Sequence, residues 1–342
     1  MTPTDSRSDV RPAESNVSKK VKVYVGSATC IAIVIIVAVT LAVTTPWSSS
    51  PVHGKQSVPY LGVYEPDAPT TYAEVNQLAQ KIGRQPNLVP YYSHWLDPFN
   101  TAFAASAAAH GATTIVQIDP KNVSLAGIAE GRFDNYLRSY AAAVKAFRAT
   151  VVLSFGHEMN GSWYSWADQH TPANVFVAAW RHIVTIFRKA EAENVIWLWT
   201  VNVVDEAGPI IPDPASWWPG SSYVTWVGID GYYYTKSQGF AQLFGPTIVD
   251  VRKLTNDPII IAETGASLAA DQSAKVTDLF AGAEAYGLLG FVWFDADDTT
   301  QGLDWRLRGY DALSTLRQDA RTFMTRPSAA TPPSPPASQA SP

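Results

Sequence analysis

Two glutamates stand where apolar runs stop. TVVLSF, residues 150–155, is followed by Gly156-His157-Glu158-Met159-Asn160-Gly161, and PIIIA, residues 258–262, runs straight into Glu263-Thr264-Gly265. A carboxylate in such a place is a buried ion-pair partner, a metal ligand or an acid catalyst. The first block begins like the zinc motif H-E-x-x-H, but position 161 is Gly, and His53, His94, His110, His170 and His182 show no ligand spacing, so no metal is expected. Ser-His-Asp chemistry lacks its G-x-S-x-G elbow. A single glutamate would pair with a buried Arg. Two at strand ends suit the breaking of an acetal, which needs a proton for the leaving oxygen and negative charge beneath a developing oxocarbenium ion. Proximity of two carboxyls and partial burial push their pKa values apart, so that one keeps its proton and the other stays ionised. That chemistry calls for no cofactor.

The elements that must position these residues repeat. Eight short β-rich runs are visible: Tyr60–Tyr64, Leu88–Tyr91, Thr113–Ile118, Thr150–Phe155, Val195–Thr200, Tyr223–Ile229, Pro258–Ala262 and Gly290–Phe294. Helix-like stretches separate them, with apolar residues at steps of three and four over Phe133–Ala149, Thr171–Asn194 and Asp271–Gly287. Thr171 is expected as an N-cap with Pro172 at the first helical position, and Gly287 as a C-cap. Strand alternating with helix implies parallel strands joined by crossovers, and eight such units predict a (β/α)8 TIM barrel of the α/β class. A doubly wound sheet would need a Gly-rich turn after the first strand, where the chain reads GVYEPDAP. In a barrel, catalytic groups lie at the C-terminal strand ends. The fourth strand then delivers Glu158, the sixth is followed by Asp230-Gly231-Tyr232, the seventh delivers Glu263, and the eighth ends Trp293-Phe294-Asp295.

H-E-M-N-G followed by W-x-x-W, with a later strand ending Glu-Thr-Gly, resembles glycoside hydrolase family 26, the family of the β-mannanases, over roughly Pro59 to Phe323. The resemblance implies a retaining β-glycosidase with Glu158 as acid/base and Glu263 as nucleophile. It further implies sugar contacts from His157, Asn160, Trp163 and Trp166, a Tyr232 hydroxyl on the nucleophile, and Trp293 as a floor beneath the sugar. Trp217, Trp218 and Trp305 fall in loops where outer subsites could form. The substrate implied is a β-linked polysaccharide, β-1,4-mannan first, attacked within the chain. Phe155-Gly156 in place of Arg-Pro, and WYSW in place of WFWW, leave the sugar open. Mixed-linkage β-glucan and the trimming of an exopolysaccharide are the alternatives within this chemistry. A silent carbohydrate-binding barrel of the cell envelope is the alternative outside it.

Composition bounds the rest. Of 342 residues, 46% are hydrophobic, 16% are charged and 12 are Trp, which fits a large core with flat aromatic faces to spare. Net charge is −5; the first 22 residues carry +2, leaving −7 elsewhere, which argues against nucleic acid as a partner. The one cysteine, Cys30, excludes a disulfide framework. It lies in an uncharged run, residues 23–45, long enough to span a bilayer, with Lys19, Lys20 and Lys22 on its N-terminal side. This predicts a signal anchor with residues 1–22 cytoplasmic and the barrel extracytoplasmic at the cell membrane. Cleavage, giving a secreted enzyme, is the rival, although the run exceeds the 7 to 15 residues usual for a signal peptide. Residues 46–57 read as a linker, 58–326 as the catalytic domain, and the Pro/Ser/Ala-rich residues 327–342 as a disordered tail. A monomer is expected. Sequons at Asn16, Asn122 and Asn160 are read as carrying no glycan, the first being cytoplasmic and the last inside the catalytic block.

Overall fold

A computed structural model of the chain describes residues 59–204, 211–298 and 302–325. The leader, the apolar run, the linker and the tail lie outside the described residues. Among the described residues, no helix is long and apolar enough to cross a membrane.

Eight parallel strands close into a barrel in chain order: β1 (Tyr60–Tyr64), β2 (Leu88–His94), β3 (Thr113–Asp119), β4 (Val151–Phe155), β5 (Val195–Asn202), β6 (Trp226–Tyr233), β7 (Ile259–Ala266) and β8 (Gly290–Phe294). β8 pairs with β1 from Tyr60↔Gly290 to Tyr64↔Phe294. The crossovers carry α1 (Ala73–Ile82), α2 (Thr101–Ala109), α3 (Leu125–Ala129), α4 (Asp134–Phe147), α5 (Ala173–Lys189), α6 (Phe240–Leu243), α7 (Gly245–Leu254), α8 (Gln272–Ala285) and α9 (Gly309–Phe323).

Period-two alternation sorts the strand side chains into two layers. Tyr60, Leu88, Ile115, Val152, Leu198, Trp226, Ile260 and Val292, one from each strand, fill the barrel interior. Their neighbours in sequence, among them Val89, Val116, Leu153, Trp199, Val227, Ile261 and Phe291, face the helices and join the larger outer core. α5 shows how a helix completes that core: Phe176, Ala179, Trp180, Ile183, Val184 and Phe187 form one buried stripe.

Five strands run further than their apolar stretches. Polar and aromatic ends, including Tyr92, Asp119, Asn202, Asp230, Tyr232 and Glu263, belong to strands rather than following them. The hydrogen-bond ladder continues after the apolar signal stops, because these ends line a mouth and not a core. Caps shift too. Pro172 is the cap of α5, with ψ 137°, and the helix begins at Ala173. The Thr171 hydroxyl donates instead to the Ser165 carbonyl. Asp271 caps α8 by accepting from the Ala274 amide, and Gly287 adopts φ 62° just past its end.

Candidate active site

Inward positions at the C-terminal ends of the strands converge in one mouth. β4 delivers its contribution on a loop. Gly156 turns at φ +55°, where a Cβ would crowd Phe176 and Trp166, and Glu158 itself holds φ 53°, a conformation costly for a residue with a side chain. The Glu158 amide donates to the Thr200 carbonyl of β5 at 2.9 Å, which fixes the turn. Both carboxylate oxygens are held: Asn202 Nδ2 donates to Oε1 at 2.6 Å and Trp163 Nε1 to Oε2 at 2.8 Å. Gly161 lets Trp163 fold back this far, since a Cβ there would lie 2.4 Å from the indole.

β7 delivers Glu263 differently. Strict alternation would turn it outward, because Ile259 and Ile261 face the helices and Ala262 faces inward. A β-bulge intervenes. Ile229 pairs with Ile261 but Asp230 pairs with Glu263, and on the other side Ile261 pairs with Phe291 but Thr264 with Trp293. The extra residue re-aims the strand and turns Glu263 into the mouth. There the Tyr232 hydroxyl donates to Oε1 and the Tyr92 hydroxyl to Oε2. Burial, and next the charge of Glu263, raise both tyrosines well above 10, so they remain neutral donors. Burial and the charge of Glu158 push the Glu263 carboxyl up, while His157 and the two hydroxyls pull it back. Donors on both oxygens favour the ionised form.

His157 is buried beside the pair. Its Nδ1 lies 3.2 Å from Asp119 Oδ1, and its Nε2 is 3.2 Å from the Tyr164 hydroxyl. Burial alone would lower its pKa, but Asp119, Glu158 and Glu263 raise it to about 9, so a cation sits next to both glutamates at neutral pH. Asp230, opposite Glu263 on β6, is fully buried, and neither of its carboxyl oxygens has a hydrogen-bond partner among the described residues. Burial, then the charges of Glu263 and Glu158, raise it well above its ordinary value, which favours its neutral form.

The structure brings Glu158, Glu263, His157, Trp163 and Tyr232 together. Three other expected sugar contacts are corrected. Asn160 is fully buried: Nδ2 donates to the Asn202 carbonyl and Oδ1 accepts from the Asn202 amide, both at 2.9 Å, so it aligns the residue that holds Glu158. Trp166 is 1% exposed, stacks on Tyr164 and donates to the His157 carbonyl at 2.8 Å, leaving no face for a sugar. Trp293 is equally buried, because it shares the outward parity of Phe291, and Nε1 donates to the Trp305 carbonyl at 2.9 Å. Phe294 is the inward residue, stacked on Tyr64. The loop tryptophans Trp217 and Trp305 are also buried, and Trp218 packs edge-on to Trp199. Trp163, 46% exposed, is the aromatic left open beside Glu158. Sequence reasoning missed Tyr92, Asp119, Asn202 and Asp230 as site residues. Their shared signal is a polar or hydroxyl side chain on the inward parity at a strand's end.

Among the described residues no cluster of three or more His, Cys, Asp or Glu is placed to hold a metal ion. A closed parallel barrel with two glutamates at the C-terminal ends of β4 and β7, each carrying two donors, suits the hydrolysis of a glycosidic bond. The chain belongs to glycosyl hydrolase family 26, whose family model matches residues 73–275. It is 30% identical over 256 residues to endoglucanase H of Acetivibrio thermocellus, covering 69% of this chain and 27% of that protein. It is 31% identical over 91 residues to mannan endo-1,4-β-mannosidase A and B of Caldalkalibacillus mannanilyticus, covering 25% of this chain and 17% of that one. The chain thus spans about a quarter or less of these relatives' length. Among solved structures, a family 26 β-mannanase from Bacteroides ovatus superposes with TM-score 0.58 at 15% identity, covering 78% of this chain and 89% of that one. An endo-β-1,4-mannanase from Cellulomonas fimi also gives 0.58, at 17% identity, covering 76% and 68%. These likenesses establish the shared fold.

Proposed function

We propose that the protein hydrolyses a β-linked polysaccharide with retention of configuration, Glu263 attacking the anomeric carbon and Glu158 acting as acid and then base. The observation that carries this reading is the pair of glutamates in one mouth, each held by two donors but of different kinds. Glu263 receives a neutral hydroxyl on each oxygen and the His157 cation nearby, which keeps a nucleophile ionised and aimed. Glu158 faces the exposed Trp163, an apolar surface for a sugar ring at the position of the leaving group's proton. In the first step Glu158 protonates the glycosidic oxygen as Glu263 forms the glycosyl ester. In the second, Glu158 takes a proton from water, which cleaves the ester and restores both groups.

β-1,4-Mannan is the first substrate, attacked within the chain, in keeping with the mannanases of the same family and fold. β-Glucan is the second reading, favoured by the endoglucanase relative, whose match covers far more of this chain than the mannosidase match does. The apolar run 23–45 after Lys19, Lys20 and Lys22 supports a membrane-anchored enzyme with its barrel outside the cell. Product analysis on mannan, glucomannan, mixed-linkage glucan and an exopolysaccharide, with anomer detection by NMR, tests the reading. Inverted product, or no product from any of them, overturns it.

A further inference from the structure

A second carboxyl pair lies outside the reacting centre. Glu65 follows β1 and Asp295 follows β8, so they stand side by side where the barrel closes, line one cavity and bring their carboxyls close enough to interact. Two ionised carboxylates this close repel, which favours a proton held between them. Together with Glu74 and Lys81 of α1, and Arg306 and Arg308 of the segment after β8, they line a cavity of about 240 Å³. Glu65 is 7% exposed.

The pair is fastened to the segment Leu303–Arg308. Asp295 accepts from the Leu307 amide and donates its own amide to the Tyr64 carbonyl at 2.9 Å. The Trp305 amide donates to the Ala296 carbonyl at 3.0 Å. Arg306 bridges Asp297 and Asp304, and Arg308 also reaches Asp304. Two aromatic paths then lead to the nucleophile. Trp305 packs on Tyr232 with centroids 4.4 Å apart. Tyr64, between Glu65 and the mouth, meets Tyr92 edge-on at 5.1 Å and stacks on Phe294 at 4.7 Å. Tyr232 and Tyr92 are the two hydroxyl donors on Glu263.

We propose that Glu65 and Asp295 are positioning residues of the hydrolysis: a single proton shared between them clamps β1 to the segment after β8, and the clamp sets both tyrosine hydroxyls on Glu263. This inference rests on the glycosidase reading. Loss of the proton leaves two adjacent charges, and the clamp opens. Burial, then the charge of Asp295, raises Glu65 to about 9, with Glu74 adding to the rise and Lys81 opposing it. Burial raises Asp295 to about 6, against the Leu307 amide, Lys81, Glu65 and Arg306. The pair therefore holds one proton across roughly pH 6 to 9.

The test uses the full-length chain and dinitrophenyl β-mannobioside and β-cellobioside, whose leaving group needs no proton, so that Glu158 drops out of the alkaline limb. His157 also titrates at about 9, so wild-type kcat/KM should fall with a limiting slope of about 2 in log units per pH unit. Glu65→Gln keeps an amide donor toward Asp295 but has no proton to lose. It should match wild type at pH 7 within about twofold and fall with a slope of about 1. Asp295→Ala should lose about tenfold in kcat with KM nearly unchanged, and Asp295→Asn, which keeps an acceptor for the Leu307 amide, should recover most of it. Near-UV circular dichroism gives a readout independent of turnover, with an aromatic change near pH 9 that is clearly smaller in Glu65→Gln, which keeps only the part due to His157 and its aromatic neighbours, than in wild type. Equal slopes in wild type and Glu65→Gln, or the same dichroism change in both, overturn the clamp. If neither glycoside is cleaved by wild type, the glycosidase reading fails, while the dichroism still decides whether the pair governs the aromatic cluster.

Discussion

The ends of β4 and β7 present their carboxyls by opposite means. Glu263 lies within a strand, and a single β-bulge against β6 and β8 turns it inward. Once aimed, it needs only hydroxyl donors from neighbouring inward positions. Glu158 lies beyond its strand, on a turn with positive φ at both Gly156 and Glu158, where no ladder sets its direction. It is held by straps instead: the Thr200 carbonyl on its amide, Asn202 and Trp163 on its carboxylate, and Asn160 behind Asn202. A group oriented by register is protected by the whole sheet. A group oriented by straps depends on each of them, and it also gains the freedom to exchange partners as it moves from acid to base.

The largest effect falls on both ends alike. Glu263→Gln and Glu158→Gln should each lose at least about 10³-fold in kcat on polysaccharide with unchanged thermal midpoints. Azide should rescue a Glu158→Ala variant as a glycosyl azide of retained configuration, and normal turnover by either Gln variant would sink the assignment. The two ends should part at the next level. Asn160→Ala removes both bonds to the Asn202 backbone and leaves buried groups unpaired, at a cost of about 1–3 kcal/mol in stability. It should also lower kcat, because Asn202 no longer holds Glu158; an unshifted melting curve would show that the strap is idle. At the β7 end, Tyr92→Phe and Tyr232→Phe should each cost about tenfold in kcat/KM with little change in stability, one charge-assisted donor lost in each.

A smaller effect distinguishes the ends by pH. His157 has its pKa raised to about 9 from 6.5, so the stability it lends is full below pH 6.5 and is lost as pH rises through about 9. In Asp119→Asn the carboxylate 3.2 Å from the His157 Nδ1 is gone, and NMR of the imidazole nitrogens should find His157 titrating below its wild-type value. An unchanged titration would assign the cation to the glutamates alone. The smallest expected effect is Gly161→Ala. It displaces Trp163 from Glu158 and should raise KM more than it lowers kcat, measured on the same polysaccharide.

Much of this was legible before any coordinates. The alternation of eight apolar runs with helical stretches gives the barrel, and two carboxylates after TVVLS-F and PIIIA give its centre, because burial and charge are written in residue type. Strand ends were harder. Asn202 and Tyr92 look like loop residues in the sequence, since the apolar signal stops before the ladder does. Trp166 and Trp293 look like sugar platforms because an indole suits both a core and a ligand. Only parity and packing tell the two uses apart, and both tryptophans are spent on the core.

The sequence by itself determined the fold class, the two glutamates and the polar character of the block around Glu158, all of which follow from local pattern and from the cost of placing charge beside apolar runs. The tertiary structure alone decided which way Glu263 points. By alternation it belongs among the helices. The bulge that reverses it exists only in the pairing of β7 with its two neighbours, and the company it meets inside is tertiary too: tyrosines from β2 and β6 and a histidine from the loop after β4, brought together by closure of the barrel.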